Sequence, residues 1–171
     1  MPFPGPPRTE GPRPAAAIAF VRDTSHGIEI YLSRRPMHFR YFPGAFVFPG
    51  GRVEAGDADI RATACREVKE EIGVEVLPDD LVLLRETHTA AHAGPVYHLF
   101  ICACLVESEM PTELNPDEVD EEIWISPAKA LKQFDLPYQI MAAVQTISAF
   151  ATGPDLMRRL SSGSVNEDYL Y

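Results

Sequence analysis

Long apolar runs are missing from this 171-residue chain: no stretch approaches the ~20 consecutive apolar residues that a helical membrane span requires. The opening stretch, Met1 to Pro14, is rich in proline and glycine and has no apolar segment of the kind found in a secretory leader, and the chain ends in no targeting tripeptide. Cysteine is scarce. Cys65, Cys102 and Cys104 include no Cys-x-x-Cys pair, and Cys102 and Cys104 lie inside an apolar run, so they read as reduced core residues of a cytoplasmic protein. Cationic residues are also short: 15 Lys and Arg stand against 25 Asp and Glu, a formal net charge of -10. That balance opposes broad binding to nucleic acid or anionic membranes, both of which need a cationic face to displace counterions. A small anionic substrate held through a metal ion remains compatible with it.

What is present is the composition of an ordinary soluble domain, 46% hydrophobic and 23% charged, long enough to bury one core. Residues 1–13 have the composition of a disordered Pro/Gly-rich arm, residues 14–162 that of a single domain, and residues 163–171 form an acidic, aromatic tail. The apolar runs Ala15 to Val21 and Ile28 to Leu32 flank the turn cluster Asp23 to Gly27 and predict a hairpin. Between Asp59 and Ile72, Ile60, Ala64, Val68 and Ile72 recur every four residues ahead of Gly73, which predicts a helix with one buried face and a glycine stop. Leu81 to Leu84, Val96 to Val106 and Glu121 to Ser126 read as strands, and Glu107 to Asp120 as an acidic, solvent-facing loop. Helical spacing follows: a short helix opened by Pro127, a longer one from Tyr138 to Ala151 striped by Ile140, Val144, Ile147 and Ala151, and a last one from Pro154 to Leu160. Strands early and helices late predict an α+β layered domain. The C-terminal helices are left two roles, a cap over a substrate cleft or the contact of a homodimer.

On the helix predicted after Asp59, Glu67, Glu70 and Glu71 stand at i, i+3 and i+4 and share a face. Crowded carboxylates repel and call for a cation, and hard oxygen donors suit Mg²⁺ or Mn²⁺. The competing reading is a solvated acidic helix face paired with Lys69 and Arg66. The wider segment decides between them: Phe48-Pro49-Gly50-Gly51, then Asp57, then Arg66-Glu67-Val68-Lys69-Glu70-Glu71-Ile72-Gly73-Val74. It resembles the signature of the Nudix hydrolase family, matching every specified position from Arg66 to Val74. It departs from the pattern before that, with Asp57 where Glu is usual and eight rather than seven residues between it and Arg66.

The resemblance implies an α/β/α sandwich with a mixed central sheet and extra C-terminal helices, and a hydrolase acting on the pyrophosphate bond of a nucleoside diphosphate derivative. It implies a metal site made by Glu67, Glu70, Glu71 and the Gly51 carbonyl, with Arg66 orienting the carboxylates and Glu70, Glu71 or an acid of the Glu107 to Glu122 loop as general base. Upstream, Arg40, Gly44 and Phe48 to Gly51 are similar to the motif preceding the signature in coenzyme A and acyl-CoA diphosphatases, which implies that branch. Arg34, Arg35, Arg40 and Gly50 are then the candidate substrate-binding residues, since guanidinium groups meet extra phosphate by bidentate contacts. ADP-ribose, NADH and nucleotide sugars are the rival substrates, and a nucleotide sensor that binds without cleaving is the rival class. His88, His92 and His98 fit no common zinc spacing and are assigned core or surface roles, and Trp124 a core role.

Overall fold

A computed structural model describes residues 12–89 and 96–162. The assignments made for residues 1–11, His92 and the tail from 163 onward lie outside it. Strand β1 (Arg13–Thr24) and β2 (Gly27–Arg34) form the expected hairpin, closed by Gly27 at φ 110°. Arg13 belongs to this strand rather than to the arm, its N–H donating to the Val96 carbonyl at 2.8 Å. Two short strands that hydropathy did not announce, β3 (Phe46–Val47) and β4 (Gly50–Arg52), follow. Helix α1 (Ile60–Ile72) starts where the Asp59 carboxylate accepts the Ala62 N–H and stops at Gly73, φ 70°. After a 3₁₀ turn come β5 (Val82–His88), β6 (Tyr97–Leu105) and β7 (Glu121–Ile125), then α2 (Pro127–Gln133), α3 (Tyr138–Ser148) and α4 (Gly153–Ser161).

The strands make one sheet in the order β3-β2-β1-β6-β5, with β4 on β1 and β7 on β2. Only β1 and β6 run parallel; the other pairs are antiparallel. Side chains alternate across β1, so Ala16, Ile18 and Phe20 meet Ala64, Val68 and Ile72 of α1, while Ala17, Ala19 and Val21 join a second core with Val144, Ile147 and Leu156. Each Val or Ile fully buried in these cores contributes about 1.5–3 kcal/mol. Helices therefore cover both faces, an α/β/α sandwich with a mixed sheet, as expected. The α3 stripe ends earlier than the spacing indicated. Ala151 lies past the helix and is exposed, because Thr152 caps the next helix by accepting the Asp155 N–H.

The acidic loop does not simply face solvent. Its backbone closes the end of α1, Glu113 N–H donating to the Ile72 carbonyl and Asn115 N–H to the Glu71 carbonyl, both at 2.8 Å. Val119 is buried, and Glu122 accepts the Tyr31 hydroxyl at 2.6 Å and the Thr112 hydroxyl at 2.8 Å. Trp124 packs edge-on to Tyr31 under the Arg22 guanidinium. His98 stacks on His88 and reaches Glu86 at 2.6 Å.

Candidate active site

The hub of the site is Arg66. Its Nε and Nη2 donate to the two oxygens of Asp57 at 2.9 and 3.0 Å, Nη2 also reaches the Arg52 carbonyl at 3.0 Å, and Nη1 donates to Glu67 at 2.9 Å and Glu70 at 3.2 Å. One planar fork thus joins the loop after β4 to the acidic face of α1. Asp57 also accepts the Glu54 N–H at 2.9 Å and the Thr63 hydroxyl at 2.7 Å. The Arg66 guanidinium, outweighing the cost of burial, holds its carboxyl at about 2. The Arg66 pKa is correspondingly raised by Asp57. Asp57 therefore ties the loop after β4 to the start of the acidic face of α1 through Arg66.

Glu67 and Glu71 point inward. Glu67 is 12% exposed and lies against the backbone of Gly51, where an added Cβ would stand 2.4 Å from its carboxyl carbon. A Gly51→Ala change therefore has to displace either the β4 backbone or this carboxylate. We expect it to lower kcat/KM by at least about 10²-fold with the fold intact, checked by steady-state kinetics beside circular dichroism. Gly50 is as tightly constrained from the other side, since a Cβ there would stand 2.2 Å from the Ala16 carbonyl oxygen. Burial raises the Glu67 pKa despite Arg66. Burial, aided by Glu67 and Glu118, pushes Glu71 up to about 8 against the pull of the Gly50 N–H and Arg35. The Gly50 N–H donates to Glu71 at 3.3 Å.

The three helix carboxylates share a face as the spacing implied, but two of them are turned onto Arg66. Among the described residues no three acidic, His or Cys side chains converge closely enough to grip an ion as they stand. The donor set nevertheless suits a hard divalent cation. Glu71 is buried among like charges with only one long N–H bond and the facing Arg35 to offset them. Glu67, Glu70, Glu71 and the backbone at Gly51 are the groups that would hold such an ion.

The candidate substrate residues are distributed unevenly. Arg35 is half-buried. Its Nε donates to the Tyr41 carbonyl at 2.8 Å, its guanidinium lies 4.7 Å from the centre of the Phe39 ring, and its charge faces Glu71 and Tyr97. Arg34 is engaged by Asp120 and, at 3.4 Å, by Glu121. Arg40 is exposed beside the Tyr41 ring. Glu118 escaped the sequence reading as an individual. The Asn115 amide holds it at 3.2 Å, and its charge raises both Glu67 and Glu71. Backbone bonds between its loop and α1, together with Val119 and Leu114 packed against the α1 core, bring it here, and no local pattern announces them. A cleft of ≈ 450 Å³ lined by Phe20, Val74, Cys104 and Met110 opens just past the C-terminal end of α1, and its lining includes none of these carboxylates.

A NUDIX domain model matches residues 11–143. The peroxisomal coenzyme A diphosphatase ndx-8 of Caenorhabditis elegans is 30% identical over 122 residues, 70% of this chain and 51% of that protein. The Nudix hydrolase NudL of Enterobacter sp. is 40% identical over 60 residues, 35% of this chain and 30% of that protein. The chain thus spans about half the length, or less, of these curated relatives. A Nudix hydrolase from Alicyclobacillus acidocaldarius superposes with a TM-score of 0.78 at 19% identity, covering 88% of this chain and 97% of that one. The NUDIX domain of Shewanella oneidensis NrtR, solved with ADP ribose, gives 0.64 at 16% identity over 80% of this chain and 86% of that one. With the domain matched over most of its length and the carboxylate helix, glycine strand and Arg66 clasp in place, the chain belongs to the Nudix hydrolase family.

Proposed function

We propose that this protein is an Mg²⁺- or Mn²⁺-dependent hydrolase of a nucleoside diphosphate derivative, with coenzyme A or an acyl-CoA as the preferred substrate. The observation that carries the reading is the buried, mutually repelling pair Glu67 and Glu71 beside Gly50 and Gly51, a site whose negative charge a divalent metal would balance and share with an anionic diphosphate. Bound divalent metal supplies Lewis-acid polarisation of the diphosphate and acidification of an attacking water. The residues do the rest. Arg66 fixes the carboxylates of Glu67 and Glu70, the Gly50–Gly51 backbone lies directly against Ala16 and Glu67, and Glu70, Glu71 or Glu118 takes the proton of the attacking water. Water oxygen joins one phosphorus, the bridging oxygen leaves on the other phosphate, and coenzyme A yields 3′,5′-ADP and phosphopantetheine.

The coenzyme A preference is supported by likeness to the C. elegans diphosphatase and by Arg35, a cation that faces Glu71 of the site. A screen of coenzyme A, acyl-CoA, ADP-ribose, NADH and nucleotide sugars with Mg²⁺ or Mn²⁺, products identified by mass, tests it. We expect coenzyme A or an acyl-CoA to lead in kcat/KM. A ten-fold or greater advantage for ADP-ribose would overturn the substrate, and binding without turnover of any of them would overturn the activity.

A further inference from the structure

Arg85 is an arginine whose charge nothing in the described protein answers. Among the described residues it has neither a hydrogen-bond partner nor a carboxylate at ion-pair distance, and its Nε is buried and unpaired. Arg34 has a buried unpaired Nε too, but Asp120 and Glu121 neutralise its guanidinium. A half-buried guanidinium without a counter-charge is costly.

Its orientation is set by a break in the sheet. Along β5, Val82 pairs with Ala103 and Leu83 with Cys102, but the next residue of β6, Ile101, pairs with Arg85, leaving Leu84 as an extra residue. Strict alternation would put Arg85 on the α1 face with Leu83. The bulge instead puts it on the face of Ile101, where Leu84 joins the core beneath α3 and α4. Thr87, opposite Leu99, shares that face two residues along, and its hydroxyl has no partner within the described residues. Tyr97 continues the same face of β6, about 13 Å of strand from Ile101. Arg35 faces both Tyr97 and Glu71. Arg35, Tyr97, Thr87 and Arg85 are all partly buried; the last three share one face of the sheet, and the Arg35 charge links Tyr97 to Glu71 of the carboxylate site.

We propose that Arg85, with Thr87, is a binding subsite for a phosphomonoester of the substrate other than the scissile diphosphate. This inference rests on the diphosphatase reading and deepens it: in coenzyme A the group is the 3′-phosphate. The guanidinium provides the fork for two phosphate oxygens and the threonine hydroxyl a further donor. No other described group competes for it.

The test compares full-length wild type, Arg85→Lys and Arg85→Ala on coenzyme A and on dephospho-CoA, which lacks the 3′-phosphate. It also compares binding of 3′,5′-ADP and 5′-AMP by calorimetry. Wild type is expected to favour the 3′-phosphorylated member of each pair by about ten-fold or more. In Arg85→Ala the loss on coenzyme A exceeds the loss on dephospho-CoA by a similar factor, chiefly through KM, and Arg85→Lys falls between. Equal losses on both substrates, or no preference in wild type, would overturn the subsite while leaving the hydrolase intact. If no diphosphate is turned over, the calorimetry still decides: an Arg85-dependent preference for 3′,5′-ADP upholds the subsite without the activity, and its absence overturns it. Should Arg85→Ala not fold, the same comparison in Arg85→Lys decides.

Discussion

The Glu71→Gln protein is expected to turn over its diphosphate substrate about 10²–10⁴-fold more slowly than the parent, since the change removes both a carboxylate that would hold the metal and a proton acceptor for the attacking water. It is also expected to be the more stable protein at pH 8 without metal. The second effect follows from burial. Glu71 is raised from the usual 4.5 to about 8, so the folded state binds its proton more tightly than the unfolded state does. Between those values the folded chain carries more protons, and stability falls as pH rises, the full penalty being reached above about 8. Glutamine cannot titrate. Thermal denaturation of the parent in EDTA should therefore show a midpoint falling from pH 5 to pH 8.5, flattened in the variant and flattened in the parent by Mg²⁺ or Mn²⁺. A parent whose midpoint rises through this window, or a variant less stable than it at pH 8, would contradict the account.

Arg66→Ala should cost both stability and turnover. It strips the bidentate partner from Asp57, whose side chain is only 6% exposed, and the single partner from Glu67. Breaking a buried pair by removing one member costs about 3–5 kcal/mol, because the other charge is left uncompensated. Activity should fall by about 10²-fold or more as Glu67 and Glu70 lose their orientation. Arg66→Lys keeps a charge but not the fork and should lie between. Removing Asp57 as well should recover part of the stability, so the cycle of Arg66→Ala, Asp57→Ala and the double variant in urea should show coupling of at least about 1 kcal/mol. Additive effects would mean that the clasp stabilises nothing. Acid reports the same contact: with Asp57 lowered from 3.8 to about 2, its contribution is present above about pH 4 and disappears as pH falls through 2.

Local signals made much of this site readable in the sequence. Asp59 and Gly73 bracket α1, the four-residue spacing of Ala64, Val68 and Ile72 marks its buried face, and the glutamates follow from their offsets. The parts that escaped are decided by pairing across the sheet. Strand β4 is three residues of glycine and arginine with no strand propensity of its own, ordered because Ala15 to Ala17 pair with it. The α1-facing role of Glu118 depends on backbone bonds to Glu71 and Ile72. The sequence reading ended its strand at Leu84, and periodicity alone would have put Arg85 on the wrong face, since a bulge is a property of two strands and not of one.

The way β1 shares its edges bears on how the chain folds. Residues Ala15 to Ala17 hold β4 on one side and β6 on the other, and β6 lies 84 positions downstream, Arg13 pairing with Tyr97. The β1–β2 hairpin closes first on entropic grounds, for its ends are near in sequence. Its native register, Val21 opposite Ile30, would if continued set Ala17 opposite Arg34 and close the edge that Gly50 needs. In the folded protein the two strands part where the Ile18 N–H donates to the Pro49 carbonyl at 2.9 Å. An over-zipped hairpin would therefore compete with β4 for the same edge of β1. Escape from it should limit the return of activity on refolding, with secondary structure regained before the glycine strand can take its place.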